Sequence, residues 1–320
     1  MKRIGLLTSG GDAPGMNSVI RAVVRTAIKN DLQVCGIKRG YEGLLSGDVT
    51  EMTASSVSDI SDHGGTMLLS ARCEEMRTEA GLKRAYEMTK VFGLEALIVI
   101  GGDGSIMGAS RLNSLGLPVI GVPGTIDLDL DCSEYTIGFD TALNTGVEAI
   151  SKIGDTTSSH ERVSIIEVMG RHSGNLALWS AISTGADEVL VPEVPDVTAE
   201  VVIKHILGNR AKGKRQNMIV MAEGYGKSAD LATKIEEITG IPTRATVLGH
   251  IQRGGAPSAL DRFHGANMGS YAVELLLKGE QNKIVITKDG KYSHIDIHEG
   301  LAYKKPFDME LYHQVRKLSV

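Results

Sequence analysis

Ala96-Leu-Ile-Val-Ile100-Gly101-Gly102-Asp103-Gly104-Ser105 is the stretch that decides the fold. A short apolar run ends in a glycine-rich turn, and a helix follows through Leu115. The same unit recurs along the chain. Ile4–Thr8 leads into Ser9-Gly10-Gly11-Asp12-Ala13-Pro14-Gly15, after which Met16, Ile20, Val23, Val24 and Ala27 fall on one helical stripe. Pro118–Val122 leads into Pro123-Gly124-Thr125-Ile126-Asp127, and Val163–Val168 into Met169-Gly170-Arg171-His172-Ser173-Gly174. Met218–Ala222 leads into Glu223-Gly224-Tyr225-Gly226, and Thr246–Leu248 into Gly249-His250-Ile251-Gln252-Arg253-Gly254-Gly255. Strands alternating with helices predict βαβ units with right-handed crossovers, hence an α/β fold on a doubly wound, mainly parallel sheet. The strands are too many for one small sheet, so two lobes are expected. Ligands of open α/β sheets bind beyond the carboxyl ends of strands, and every one of these turns follows a strand.

Composition agrees. The 320 residues are 42% apolar and 23% charged, which excludes a disordered or fibrous chain. Glycine, at 38 residues, is well above its ordinary share, and aromatic residues make up only 4%. Such a chain builds its core from Val, Ile and Leu and uses glycine in functional turns. The net charge of −5 gives no electrostatic reason to expect nucleic acid as a partner. Cys35, Cys73 and Cys132 are far apart, as expected of reduced thiols rather than a disulfide frame or zinc site. Glycines interrupt the amino-terminal apolar run too early for a signal peptide, and no stretch approaches the ~20 apolar residues of a membrane span. A soluble, cytoplasmic protein without membrane contact is expected.

The turns carry the chemistry. Gly10-Gly11 and Gly101-Gly102-Asp103-Gly104 let backbone N–H groups approach an anion beside a helix N-terminus; the alternative is two tight βα turns. Gly208-x4-Gly213-Lys214 has P-loop spacing, but Arg215 stands at the Ser/Thr position, so it is a chance match. Gly102-Asp-Gly104-x3-Gly108 is one residue too long for a dinucleotide fingerprint. Asp103 would repel a phosphate unless Mg²⁺ lay between them, the usual way that ion is held; otherwise it is a helix cap. Asp127 and Asp129 form a carboxylate-rich segment suited to accepting a hydroxyl proton in phosphoryl transfer, or else a solvated acidic turn. Arg162, Arg171, Arg244, His250 and Arg253 are all placed at or just past strand ends, where guanidinium groups would bind phosphate. Taken singly, each Arg is a surface ion pair. Together these features predict a two-lobed enzyme that binds a nucleotide with Mg²⁺ and a second phosphorylated ligand.

The chain resembles the bacterial ATP-dependent 6-phosphofructokinases from end to end. The strings that carry the resemblance are Thr8–Asn17, Ser70-Ala-Arg72, Gly101–Ser105, Pro123–Asp127, Ile137–Asp140, Ser159–Arg162 and Met169–Arg171. The most specific is Arg244-x4-Gly249-His250-Ile-Gln-Arg253-Gly-Gly-x5-Asp261-Arg262. The resemblance implies a Rossmann-like three-layer fold, with residues 1–138 and 251–303 binding ATP and residues 139–250 and 304–320 binding sugar phosphate. It implies glycolytic transfer of the ATP γ-phosphoryl group to the 1-hydroxyl of fructose 6-phosphate. ATP falls to Gly11, Arg72, Cys73, Gly102, Asp103, Gly104, Ser105 and Gly108, and Mg²⁺ to Asp103. Asp127 becomes the base with Thr125 beside it, and Arg72 and Arg171 stabilise the transferring group. Thr125, Ile126, Asp127, Met169, Gly170, Arg171, Glu223, His250, Ile251, Gln252 and Arg253 take the sugar phosphate. Arg162 and Arg244 join them from a neighbouring subunit of a homotetramer. Relatives that use pyrophosphate replace glycines that remain here as Gly104 and Gly124, so ATP is the expected donor.

Two departures stand out. Where the family has Thr-Ile-Asp-Asn-Asp, Leu128 replaces the amide, and reduced activity is expected. At the family's effector site for ADP or phosphoenolpyruvate, Arg21, Arg25, Ser58, Asp59, Gly185, Lys212, Lys214 and Arg215 fit. Ala54 and Gly154 stand where arginines are usual, Asp187 where glutamate is, and Gln216 where histidine is. Weak or altered allosteric control is expected. The competing readings are a kinase acting on NAD or a lipid, which leaves Arg244–Arg262 unexplained, and a weakly active or non-catalytic paralogue that binds sugar phosphate.

Overall fold

The chain alternates strand and helix from its first residues. The structure, a computed structural model, describes residues 1–319. In order the elements are β1 (Arg3–Ser9), α1 (Met16–Lys29), β2 (Gln33–Ile37), α2 (Gly40–Ser46), β3 (Val49–Met52) and α3 (Glu79–Val91). Then come β4 (Ala96–Gly101), α4 (Asp103–Asn113), β5 (Val119–Pro123), α5 (Phe139–Ser159), β6 (Val163–Val168) and α6 (Asn175–Thr184). Next are β7 (Glu188–Leu190), α7 (Ala199–Ala211), β8 (Asn217–Ala222), α8 (Ser228–Thr239), β9 (Thr243–Val247) and α9 (Ala259–Leu277). The chain ends with β10 (Lys283–Lys288), β11 (Lys291–Asp296), α10 (Ile297–Ala302) and α11 (Met309–Leu318). It divides into two compact units, residues 1–141 with 253–305, and residues 142–252 with 306–320.

The first unit holds a seven-stranded sheet in the order β11-β10-β5-β4-β1-β2-β3. Its five central strands run parallel, and the edge strands β3 and β11 are antiparallel to their neighbours. β4 and the Ile4–Leu7 part of β1 are buried because helices cover the sheet, so they read as near-continuous apolar runs. Strand order reverses between β1 and β4, the switch point where open α/β sheets bind ligands. α1 and α9 approach closely: a Cβ on Gly269 would lie 2.7 Å from the Val19 carbonyl oxygen. Only glycine permits that contact.

The second unit holds a four-stranded, all-parallel sheet in the order β7-β8-β6-β9. The buried runs of β6 and β8 form its centre, while Ala245–Val247 of the edge strand β9 are exposed or half-buried. The α/β architecture on two mainly parallel sheets is as expected, and no helix among the described residues is long and apolar enough to cross a membrane.

Candidate active site

In the first unit the two glycine loops flank the switch point. β1 and β4 pair with Ser9 opposite Gly101, so Gly10-Gly11 and Gly102–Ser105 leave the sheet side by side. Their glycines are required sterically: a Cβ on Gly101 would lie 2.4 Å from the Ser9 carbonyl oxygen and 2.8 Å from Ser105 Cβ. Gly10 takes a φ of +89°, where only glycine is unstrained. The first turn of α4 opens to solvent. Asp103 and Gly104 are exposed, and no heavy atom lies within 4 Å of where a Gly104 Cβ would stand. A helix N-terminus open in this way carries partial positive charge toward an incoming anion. Beside it lies a cavity of about 360 Å³ lined by Asp103, Gly104, Met107, Asp129, Tyr303 and Lys304, within the range of small-molecule sites.

Other expected nucleotide residues gather there. Ser70 donates to the Gly10 carbonyl at 2.6 Å, tying the segment that carries the exposed Arg72 to the first loop. Tyr41 donates to the Ser105 carbonyl at 2.6 Å, and its ring lies within 3.2 Å of a Gly108 Cβ position. Burial pushes the half-buried Cys73 thiol up, so it contributes contact rather than a thiolate.

The third loop belongs to the same edge. β5 pairs with β4, Pro123 opposite Gly101, and Gly124 N–H donates to the Gly101 carbonyl at 3.0 Å. Thr125 Cβ stands 3.9 Å from a Gly102 Cβ position. Thr125 Oγ1 accepts from Asp127 N–H at 3.2 Å, which sets the turn that carries the buried Asp127, 6% exposed. Ile126 is buried. Leu128 takes a φ of +50°, a left-handed conformation that Asn or Gly adopts readily and leucine does not.

Arg253 lies in this unit as well. Its Nη1 donates to the Asp12 carbonyl at 3.3 Å, and the guanidinium covers Gly11, where a Cβ would meet Nη1 at 1.9 Å. The expectation grouped Arg253 with the sugar-phosphate residues; here it rests on the first glycine loop.

In the second unit the loops after β6 and β8 meet. Gly170 (φ +141°) and Arg171 (φ +57°) turn their N–H groups onto one point, where Glu223 Oε1 accepts both, at 3.2 and 2.8 Å. Gln252 Oε1 accepts Met169 N–H at 2.8 Å, and its Nε2 donates to the Ala142 carbonyl at 3.4 Å. Gln252 is fully buried and holds backbone, whereas its neighbours His250 and Ile251 are exposed.

The grouping of all the basic residues on one carboxyl edge is corrected. Arg162 precedes β6, and Arg244 pairs opposite Ser164 near the start of β9. Both stand at the amino ends of the strands, away from Met169–Arg171 at the carboxyl end of β6. β9 begins at Thr243, three residues before the predicted Thr246, because an exposed edge strand lacks the apolar run that marks a central one.

The effector candidates divide likewise. Arg21 and Arg25 lie on α1, with Ser58 and Asp59 in a turn of the first unit. In the second unit Gly154 lies on α5, Gly185 caps α6 with a φ of +66°, and Lys212 caps α7. Asp187 pairs with Lys214 and accepts Met218 N–H at 2.7 Å, while Lys214 also donates to the Ser319 carbonyl at 3.0 Å. Arg215 pairs with Glu161 at 3.1 Å, and Gln216 is half-buried.

The phosphofructokinase family model matches residues 3–276. A Clostridium botulinum protein named ATP-dependent 6-phosphofructokinase is 52% identical over 312 residues, covering 98% of each chain. The phosphofructokinase structure from Saccharomyces cerevisiae matches all of this chain at 33% identity and a TM-score of 0.85, and this chain spans 48% of that one. The Pichia pastoris phosphofructokinase structure, also 33% identical, matches 99% of this chain with a TM-score of 0.89, and this chain spans 39% of it. A matching family model over most of the sequence, near-complete coverage at 52% identity and the same two-sheet fold lead to one conclusion: the chain belongs to the phosphofructokinase family.

Proposed function

We propose that this chain transfers the γ-phosphoryl group of ATP to the 1-hydroxyl of fructose 6-phosphate, giving fructose 1,6-bisphosphate and ADP. One observation carries the reading: three loops at the carboxyl ends of adjacent strands put an anion-binding helix N-terminus, Asp103 and Asp127 on one edge of one sheet. Phosphoryl transfer needs positioning and charge stabilisation more than covalent chemistry. Gly11, Gly102–Ser105 and the α4 N-terminus hold the phosphates, with Arg72, Cys73 and Gly108 beside them. Asp127 accepts the proton of the attacking hydroxyl, and Thr125 fixes its turn. Arg72 and Arg171 stabilise the transferring group.

Mg²⁺ fits this donor set. Among the described residues no group of three or more His, Cys, Asp or Glu could hold a metal ion. An exposed carboxylate at a helix start that could take phosphate matches an ion held by one or two carboxylates, phosphate oxygens and water. Asp103 is the proposed ligand, and the bound ion would neutralise charge developing on the phosphates.

The second unit takes the sugar phosphate through Met169–Arg171, His250 and Ile251, with Glu223 and Gln252 shaping the loop. Arg253, resting on the first glycine loop, is a further cation for a phosphate group. Arg162 and Arg244, at the opposite end of that sheet, serve a neighbouring copy in a homotetramer. The glycines at 104 and 124 leave room for a nucleoside, so ATP and not pyrophosphate is the donor. An enzyme working in the cytoplasm fits these ligands.

A coupled assay for fructose 1,6-bisphosphate tests the reading. Turnover with ATP and Mg²⁺, loss of turnover on chelation, and less than about 1% of that rate with pyrophosphate are expected, since a lost nucleoside site removes roughly 3 kcal/mol or more of binding. Equal rates with pyrophosphate would refute the donor assignment.

A further inference from the structure

Asp261 is the third residue of α9 and is wholly buried, yet no expectation gave it a role. Its Oδ1 accepts Tyr135 O–H and Gly138 N–H, both at 2.6 Å. Its Oδ2 accepts Thr141 N–H at 2.9 Å and the Thr141 hydroxyl. A buried carboxylate is costly unless its lone pairs are filled, and here four donors from one short segment converge on it. Burial pushes its carboxyl up, while those four bonds pull it back toward the ionised form. No uncharged side chain of that size accepts four donors: asparagine would turn an NH₂ toward one pair.

The segment so held is the one that supports the base. Two residues before Gly138, Thr136 donates its hydroxyl to the Thr125 carbonyl at 2.7 Å. Ile137 N–H donates to the Pro123 carbonyl at 2.9 Å, and Ile137 bridges to Gly124. Thr125 in turn accepts Asp127 N–H at 3.2 Å. A continuous run of bonds therefore joins Asp261 to the turn carrying Asp127, entirely within the first unit. On the other side, a Cβ on Gly15, the residue that caps α1, would stand 3.2 Å from Asp261 Cβ, so the start of α1 packs against this residue.

We propose that Asp261 is a positioning residue for phosphoryl transfer, holding the Thr125–Asp127 turn through residues 136–141. This rests on Asp127 being the base. A displacement of about 1 Å at a reacting group costs on the order of 10²-fold in rate, and the groups assigned to bind the substrates do not lie on residues 135–141.

Three variants, Asp261→Asn, Asp127→Asn and the pair together, are assayed with ATP, Mg²⁺ and fructose 6-phosphate and melted thermally. Asp261→Asn is expected to lower kcat by about 10–100-fold, with KM for each substrate within about threefold. In the Asp127→Asn background the same change is expected to lower kcat by less than about threefold, because two residues acting on one step are not additive. If kcat is kept, if the loss adds in full in the double variant, or if only the melting temperature falls, the positioning role is overturned. Retained kcat in Asp127→Asn would overturn the base assignment and the positioning role with it. Lost kcat there but normal kcat in Asp261→Asn would overturn the positioning role alone. Should Asp261→Asn fail to fold, Thr136→Val removes only the hydroxyl bonded to Thr125; a kcat lowered about threefold to tenfold at unchanged KM supports the role, and unchanged kcat overturns it.

Discussion

Leu128 sits next to the proposed base in a conformation its side chain disfavours. A φ of +50° costs a branched residue about 1–2 kcal/mol relative to glycine, and asparagine less. Leu128→Asn is therefore expected to raise stability by about 0.5–1 kcal/mol, read as a higher thermal midpoint. The restored amide also supplies a hydrogen bond worth about 0.5–1.5 kcal/mol, so kcat is expected to rise, by up to about tenfold. Lower stability together with lower kcat would show that the leucine is suited to its place. Residues of this kind mark the limit of what the sequence shows. Gly10 and Gly101 are legible because glycine itself announces a special backbone or a close approach. Leu128 stood out only as a replaced amide, and nothing in a leucine announces the left-handed backbone it adopts. Gln252 read as a ligand contact from its string, and only its burial shows that it holds Met169. Asp261 read as the end of a motif until its four donors were seen.

Among the elements, central strands were legible and edges were not. β4 is an unbroken apolar run and β6 a mostly buried one interrupted by Ser164 and Glu167, and the predicted bounds fall within a residue of those observed. β9 and β11 carry charged and half-buried residues, so no periodicity marks them. The missed start of β9 left Arg244 outside the predicted strand, whereas it lies within β9 near its amino end. Short elements depend on their caps. α10 has six residues, and Asp296 caps it by accepting His298 N–H at 2.9 Å and Glu299 N–H at 3.5 Å. Asp296→Ala is expected to destabilise the first unit by about 0.5–2 kcal/mol in denaturant titration. Partial burial alone would raise the Asp296 carboxyl; the His298 N–H, the Asn282 amide and the Glu299 N–H outweigh it, and it lies below its ordinary value. A lowered carboxylate stabilises the fold above its unfolded pKa and loses that contribution as pH falls through the folded one. The difference between Asp296→Ala and the parent is thus expected to be full near neutrality and to shrink below about pH 4. A difference that grows on acidification would contradict the cap.

For the whole molecule, the alternation of strand and helix fixed the class, and the number of strands pointed to two sheets. The resemblance grouped residues 251–303 with 1–138, and in the structure β10, β11 and α9 return to the first unit after the second sheet is complete. Control across copies is expected to be slight. Two guanidinium groups are replaced by Ala54 and Gly154, each removing charge-assisted bonds of roughly 1.5–3 kcal/mol. Lys214 is already engaged by Asp187 and the Ser319 carbonyl. ADP or phosphoenolpyruvate at micromolar concentration is expected to shift the fructose 6-phosphate saturation curve by less than about threefold, a change of under roughly 0.7 kcal/mol in coupling. A strong shift would show an intact effector site.

The central claim is that Asp127, on the same sheet edge as the nucleotide loops, takes the proton in phosphoryl transfer. Steady-state kinetics of Asp127→Ala beside the parent test it most directly. The account predicts kcat lower by roughly 10²–10⁴-fold with KM for both substrates changed only slightly. An Asp127→Ala enzyme with unaltered kcat and a raised KM would contradict it.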